Sequence, residues 1–189
     1  MSQTRLLALV GSLRAASINR RLAEAAAKTA PEGVEISLYE GLADIPFYNE
    51  DIDVEGKVPA AAQALRDAVA AADGLLLVTP EYNGTLPAVL KNAIDWVSRP
   101  YGVGAVKDKP VAVVSASISA NAAKWAHGDA VKALGVAGAS VVEDAHLHFG
   151  TIGQRFVEVH PAEDAEALTQ IAATVGTLVE AARGNLVTA

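Results

Sequence analysis

Short apolar runs alternate with longer stretches of helical periodicity along the whole chain. Three runs of strand length, Leu6–Val10, Gly74–Thr79 and Pro110–Ser115, are almost entirely apolar, as in strands buried on both faces of a parallel sheet. Val34–Tyr39 alternates apolar and polar positions, which indicates a half-buried or edge strand outside the first one. Ser140–Ala145 is a fifth strand-like segment. The pattern predicts an α/β fold in which helices cover a parallel sheet.

Apolar positions at helical spacing predict five helices. They run approximately over 17–29, 59–72, 86–98, 122–134 and 161–183. Ser17 is a suitable N-cap for the first helix, and Pro87 fits the first turn of the third. Gly, Pro, Asp and Asn are frequent in 40–59, which is therefore predicted to be a surface loop whose aromatic part, 45–51, packs on the domain.

The loop after the third strand has features suited to a flat heteroaromatic ligand. Pro80 cannot donate to a strand ladder, so Pro80–Gly84 leaves the sheet at the strand's carboxyl end, where open α/β sheets bind ligands. Asn83 and Gly84 can expose backbone N–H groups, and Tyr82 offers an aromatic face for stacking. The alternative is that Asn83-Gly84 is only a tight turn and that Tyr82 only packs.

The first strand leads into a second ligand-like loop that is rich in hydroxyl groups. A helix N-terminus favours an anion, and Ser12, Arg14 and Ser17 can supply further donors. The sequence lacks both the Gly-x-Gly-x-x-Gly pattern for a dinucleotide and the Gly-Lys-Ser/Thr pattern for a nucleoside triphosphate. With these two patterns excluded, the donors of this loop suit a terminal phosphate monoester. The alternative is an ordinary capped helix beside an exposed arginine.

Composition narrows the class of protein. The 189 residues, 51% of them apolar, suffice for one domain, 1–189, with a sizeable core. A net charge of −7 without clustered Lys or Arg disfavours nucleic acid as a partner. The absence of cysteine rules out thiolate metal sites and a catalytic thiol. The apolar run after Arg5 is too short for a signal peptide or a membrane span, so we expect a cytoplasmic protein without a membrane partner.

Histidine positions raise the question of a metal. His146 and His148 share one face of a strand-like segment, and His127 or His160 would have to be a third ligand. No carboxylate or cysteine has matching ligand spacing, so no metal site is predicted.

Two motifs together resemble the NADPH-dependent FMN reductase family, which includes bacterial quinone and chromate reductases and azoreductase-like enzymes. The first runs from Gly11 to Asn19 and reads Gly-Ser-Leu-Arg-x-x-Ser-x-Asn. The second combines Pro80-Glu-Tyr-Asn83 with Leu90-Lys-Asn-Ala-Ile-Asp-Trp96 and Ser98-Arg-Pro100. The resemblance covers roughly residues 5 to 150.

The resemblance implies a flavodoxin-like three-layer α/β fold, with a five-stranded parallel sheet in the order 2-1-3-4-5. In that order the loops after the first and third strands converge on one crevice. The implied cofactor-binding residues are Ser12, Arg14, Ser17, Ile18, Asn19, Pro80, Glu81, Tyr82, Asn83, Gly84 and Ser117. Of these, Ser12, Arg14, Ser17 and Asn19 would hold the FMN phosphate. No catalytic side chain is expected, because N5 of the flavin carries the chemistry.

The implied activity is ping-pong reduction of quinones, free flavin, azo dyes or oxidised metal species by NADPH or NADH. The family commonly forms homodimers or homotetramers, for which Trp96 and the turn Arg99–Tyr101 are candidate contacts. For Trp96 the alternative is an ordinary core position, since Trp is usually buried. The alternatives are a flavodoxin-type electron carrier and a non-catalytic binding protein that has lost FMN.

The sequence departs from the family in the loop after the fourth strand, which usually carries several glycines. Here 118–121 has none, so we expect its backbone to stand further from the flavin and FMN to be held less tightly. Asn121 is the residue predicted to take a left-handed conformation in this turn.

Overall fold

The computed structural model describes residues 3–188, which form a five-stranded sheet with helices on both faces. The strands are β1 (Thr4–Val10), β2 (Val34–Leu38), β3 (Gly74–Thr79), β4 (Pro110–Ala116) and β5 (Ser140–Phe149). The helices are α1 (Ile18–Lys28), α2 (Ala60–Ala71), α3 (Ala88–Val97), α4 (Lys124–Val136), α5 (Ile152–Arg155) and α6 (Ala165–Thr188). No helix within the described residues is both long and apolar enough to cross a bilayer.

All neighbouring strands are parallel, and their order is β2-β1-β3-β4-β5. This confirms the predicted flavodoxin-like sheet. Leu6 pairs with Gly74 and Val10 with Val78, so β1 and β3 leave the sheet side by side. The loops that follow them therefore open at one edge, at the point where the strand order reverses.

Two apolar cores lie on opposite faces of the sheet. Along β3, Leu76 and Val78 join the core that includes residues of α1 and α6, whereas Leu75 and Leu77 join the core of α2, α3 and α4. Every residue of β3 and β4 is buried. This double burial explains why the central strands are continuous apolar runs.

The chain after the fifth predicted strand differs from the prediction. β5 runs on to Phe149, and its pairing with β4 is irregular between Val111 and Val113. The last helix begins at Ala165 rather than Pro161, because the Asp164 carboxylate accepts the Ala167 N–H and so caps α6. Arg155 binds the same carboxylate at 2.7 and 2.8 Å, which holds the pKa of Asp164 down at about 2.

The long loop 40–59 contains two 3-10 turns, Gly41–Asp44 and Glu50–Ile52, and is anchored by α3. The Asn92 amide donates to the Ile45 and Pro46 carbonyls and accepts the Tyr48 N–H, at 2.8 to 3.3 Å. The predicted packing is confirmed for Ile45 and Tyr48. It is wrong for Phe47, whose side chain is 78% exposed.

Trp96 belongs to the core and not to the surface. Its side chain is fully buried, its indole N–H donates to the Pro46 carbonyl at 2.8 Å, and its ring meets Tyr48 edge-on at 5.0 Å. The expectation that Trp96 contacts another subunit is therefore wrong, since the loop 40–59 already covers its ring.

Candidate functional site

Gly11 brings the loops after β1 and β3 together. Its N–H donates to the Val78 carbonyl at 2.8 Å. A Cβ at this position would lie 2.6 Å from Leu90 Cδ1 and 3.0 Å from Pro80 Cδ, closer than packed carbon atoms approach. The first loop can pass this near to Pro80 because residue 11 has no side chain.

A cavity of about 280 Å³ opens between the loops after β1, β3 and β4. It is lined by Ser12, Arg14, Ser17, Ile18, Asn19, Pro80, Glu81, Tyr82, Ala116, Ser117, Ile118 and Ile152. Nine of the eleven predicted cofactor-binding residues are in this lining, so the structure brings the separate motifs into one crevice. Asn83 and Gly84 are not in it. Three lining residues, Ala116, Ile118 and Ile152, were not predicted.

The first turn of α1 provides an anion-binding geometry at one end of the cavity. Ser17 is the N-cap, with its Oγ accepting the Arg20 N–H at 3.2 Å, as predicted. The N–H groups of Ile18 and Asn19 come next, in the turn where a helix has no preceding carbonyls to bind. Arg14 adds an exposed guanidinium. The positive helix end and this cation both favour a phosphate.

Asn19 supplies an acceptor rather than a donor. Its side chain is 5% exposed, and its amide nitrogen is 3.5 Å from the Ala116 carbonyl. This contact directs Oδ1 away from that carbonyl, and Oδ1 is buried without a hydrogen-bond partner. An unpaired buried acceptor needs a donor such as a ligand hydroxyl. It suits the ribityl chain of a flavin better than a phosphate oxygen.

The second loop ends in a two-residue turn. Tyr82 and Thr85 exchange backbone hydrogen bonds at 3.1 and 3.2 Å, and Asn83 and Gly84 between them have φ of 53° and 77°. These angles are those of a type I′ turn, so the tight-turn interpretation is confirmed for the backbone. Tyr82 remains 50% exposed and lines the cavity, which leaves its ring available to a ligand.

Glu81 lines the cavity but its carboxylate is directed to α4. Oε2 accepts the N–H groups of Trp125 and Ala126, each at 3.1 Å. The second loop is thereby attached to the helix that follows the third loop.

The third loop is tied to the end of β5. The Ser117 N–H donates to the Phe149 carbonyl at 3.0 Å, and the Ile152 N–H donates to the Ser117 carbonyl at 3.2 Å. The left-handed residues are Ala122 and Ala123, with φ of 56° and 57°, so the prediction for Asn121 is wrong. The turn reverses one residue later, because Ser115 Oγ holds the Ala122 carbonyl at 2.7 Å.

Three of the four histidines form a cluster behind the third loop. The ring of His127 lies 4.5 Å, centroid to centroid, from the rings of both His146 and His148. His160 lies elsewhere, against Glu24. Burial lowers the pKa of all three clustered imidazoles, that of His127 to about 4. Among residues 3–188, no group of three or more His, Cys, Asp or Glu side chains is arranged to hold a metal ion.

A larger groove of about 860 Å³ separates α3 from α4 next to the turn at Asn83. Its lining includes the exposed side chains of Tyr101 and Val136. The groove lies outside the crevice at the strand ends, although Tyr82 borders both.

Known proteins resemble this chain over most of its length. Residues 4–154 match the profile of a family described as NADPH-dependent FMN reductase. A quinone reductase of Pseudomonas putida is 48% identical over 118 residues, which are 62% of each chain. A 2-hydroxy-1,4-benzoquinone reductase of a Burkholderia species is 42% identical over 116 residues, 61% of this chain and 62% of the relative. The chain thus spans about three fifths of the length of these curated relatives.

Among solved structures, FerB of Paracoccus denitrificans, a flavoenzyme NAD(P)H:(acceptor) oxidoreductase, superposes with a TM-score of 0.85 at 28% sequence identity. The superposition covers 96% of this chain and 98% of FerB. The family profile includes all three loops that line the cavity and all five strands of the sheet. The chain therefore belongs to the NADPH-dependent FMN reductase family.

Proposed function

We propose that this protein is an FMN-dependent NAD(P)H oxidoreductase that reduces quinones, free flavin, azo dyes or oxidised metal species. The observation that carries the proposal is the crevice at the ends of β1 and β3, where a helix N-terminus, an unpaired buried acceptor and an exposed aromatic ring line one cavity. These three features match the phosphate, the ribityl hydroxyls and the isoalloxazine ring of FMN in turn. The names of the relatives support the quinone substrates.

Each lining residue has a role that its own chemistry supports. Ser12, Arg14 and the first turn of α1 would hold the phosphate. Asn19 Oδ1 would accept a ribityl hydroxyl, which refines the phosphate-binding role first expected for Asn19. Pro80–Tyr82 would border the ring, with Asn83 and Gly84 forming the turn beyond them, and Ser117 would close the far side.

The protein itself would bind and orient FMN and the substrates and would exclude water from the crevice. Its side chains would not transfer protons. The titratable side chains in the lining are Arg14, Glu81 and Tyr82, and the Glu81 carboxylate already accepts two N–H groups. They do not form an acid–base pair. When bound, FMN supplies the redox chemistry by taking a hydride from NAD(P)H and giving it to the acceptor. A cytoplasmic location, where NAD(P)H is available, is part of the proposal.

Flavin titration tests the phosphate assignment. Arg14→Ala should weaken FMN binding by about 1.5–3 kcal/mol, because a charge-assisted contact is lost, and should leave riboflavin binding nearly unchanged. Arg5→Ala is the matched control, since Arg5 is exposed at the start of β1, the opposite end of the sheet. Equal losses for FMN and riboflavin would show that this loop does not bind phosphate.

NADPH oxidation separates the proposal from its alternatives. FMN-loaded protein should bleach when NADPH is added under argon and should recover its colour with benzoquinone. A flavodoxin-type carrier would hold FMN without oxidising NADPH at steady state, and a non-catalytic protein would not bind FMN.

We also propose that the protein is a homodimer, with a homotetramer as a further assembly, and that the groove between α3 and α4 is covered by a second copy. The groove is large and presents apolar side chains on both of its walls. Light scattering at micromolar concentration should give at least twice the 19.4 kDa chain mass. Val136→Glu in the groove should shift the protein toward monomer, whereas Val157→Glu at another exposed position should not.

A further inference from the structure

Helix α4 begins without a capping side chain of its own. Its N-cap, Ala123, is left-handed, with φ of 57° and ψ of 32°, and makes no side-chain hydrogen bond. A helix start normally exposes N–H groups that need acceptors, and Ser, Thr, Asp or Asn usually provides one. Here the acceptor comes from 44 residues earlier in the chain, where Glu81 Oε2 accepts from Trp125 and Ala126.

This contact joins two walls of the same crevice. Glu81 lies in the loop after β3, and the loop after β4 ends where α4 begins. Both loops line the cavity of about 280 Å³. A second bond strengthens the attachment one turn further along α4, where Thr85 Oγ1 donates to Asp129 Oδ2 at 2.5 Å. The separation of the two walls therefore depends on contacts between the second loop and α4.

Electrostatics favours a carboxylate in this position. The N-terminus of α4 carries a partial positive charge, and an anionic side chain there is stabilised by it. Charge-assisted hydrogen bonds to backbone N–H groups are also about twice as strong as neutral ones. Glu81 is half-buried, so solvent screens these contacts less than it would at an open surface.

We infer that Glu81 is a positioning residue, which sets the width of the cofactor crevice by holding the second loop against the start of α4. This inference rests on the proposed FMN binding and deepens it. We name the Glu81 carboxylate and the N–H groups of Trp125 and Ala126 the Glu81 clamp. The Glu81 side chain affects binding of the flavin ring by fixing the two walls of the crevice. The phosphate is bound by the loop after β1, whereas the Glu81 carboxylate is bonded to the start of α4.

Two variants of similar size separate the hydrogen bonds from the shape of the side chain. Glu81→Met removes both acceptors and keeps the length, whereas Glu81→Gln keeps one acceptor oxygen and removes the charge. Glu55→Met is the matched control, because Glu55 is exposed in the loop 40–59. Affinities for FMN and riboflavin are measured by fluorescence titration, and amide hydrogen exchange is followed at 124–127 in the flavin-free protein.

Glu81→Met should bind both FMN and riboflavin at least about tenfold more weakly, since loss of hydrogen bonds to an ionised group shifts an equilibrium by that order. Equal losses for the two flavins distinguish this effect from Arg14→Ala, which should affect FMN alone. Exchange at Trp125 and Ala126 should be faster in Glu81→Met. Glu81→Gln should recover most of the affinity and protection, and Glu55→Met should match the wild type.

Two results would overturn the inference. If exchange at 124–127 rises in Glu81→Met while both flavins bind as in the wild type, Glu81 only caps α4. If exchange does not change, the clamp does not exist in solution. Wild-type protein that binds neither flavin would remove the proposed function itself, and with it the role of the clamp, so the two failures are distinguishable.

Discussion

Acid should destabilise this protein through the cluster of His127, His146 and His148. His127 is 8% exposed, and the centroid of its ring lies 4.5 Å from the centroid of each of the other two rings. His127 Nε2 and His146 Nδ1 are buried without hydrogen-bond partners. A second proton on either ring would bury a positive charge beside a nitrogen that has no hydrogen-bond partner, so the folded state favours neutral rings.

The pKa of His127 gives the magnitude. Burial first, and then the neighbouring His148 and His146, lower this pKa from 6.5 to about 4, while a hydrogen bond to the Val113 backbone acts in the opposite direction. Each tenfold change in proton affinity corresponds to about 1.4 kcal/mol, so the lowered pKa of His127 changes the free energy of unfolding by up to about 3 kcal/mol. Because the unfolded chain binds more protons than the folded one, this stability is complete above pH 6.5 and is lost as the pH falls toward 4.

Other charges around the cluster modify the effect without reversing it. For His148, burial lowers the pKa most, followed by the positive charge of Lys124 and then by His146. For His146, burial lowers the pKa, and the negative charges of Glu143 and Asp144 partly oppose this. The pKa values of both histidines are still lowered, so they act in the same direction as His127. The cluster as a whole therefore makes the protein sensitive to acid between pH 6.5 and 4.

Urea unfolding of the flavin-free protein at pH 7.0, 5.5 and 4.5 measures this loss. His127→Gln keeps an amide that can donate to the Val113 carbonyl and does not titrate, so its loss of stability between pH 7.0 and 4.5 should be smaller by about 2 kcal/mol. His160→Asn, outside the cluster, retains an acceptor for the Ala162 N–H and should keep the cluster-dependent loss. The same loss in wild type and His127→Gln would refute the reasoning.

Three further predictions concern packing and cofactor retention. Gly11→Ala should cost about 1–3 kcal/mol in urea unfolding, because its Cβ would press on Leu90 and Pro80, whereas Gly128→Ala, with open space around it in α4, should be neutral or stabilising. Asn92→Ala should cost about 1–3 kcal/mol, because it leaves the Ile45 carbonyl and the Tyr48 N–H unpaired, while the Pro46 carbonyl keeps its bond from Trp96. FMN should be partly lost on dialysis and regained on addition, since the Ser117 and Ser119 N–H groups are already bonded within the protein; stoichiometric retention would contradict this.

The central sheet was predictable because its strands are buried on both faces. All six residues of β3 are buried, and Leu75–Val78 alternate between the two cores, so the strand is an apolar run that ends where the sheet ends. The end of β5 was not predictable in this way. His146 and His148 interrupt the apolar pattern, yet an edge strand tolerates polar side chains on a partly exposed face.

The site was predictable where its residues are close in sequence. Loop 12–19 and loop 80–82 each carry several lining residues, so one motif identifies several contacts. Ile152 has no such signal. It reaches the cavity because its N–H binds the Ser117 carbonyl, and this contact between distant segments has no local pattern. Asn83-Gly84 carries a strong turn signal, and the turn that it forms leaves the two residues outside the cavity lining.

The third loop shows why the remaining part of the site depends on tertiary contacts. Two consecutive alanines with positive φ are unfavourable, at about 1 kcal/mol or more each, and a glycine would avoid this cost. They persist because other contacts hold them. Ser115 Oγ fixes the Ala122 carbonyl and also lies 2.7 Å from His148 Nδ1, while Ala123 is fully buried. In a glycine-rich loop, the local sequence alone would allow this positive-φ conformation. Here β5 behind the loop and Glu81 beside it hold the conformation. Changes at His148, which is outside the cavity lining, should therefore still reach the cofactor crevice through the third loop.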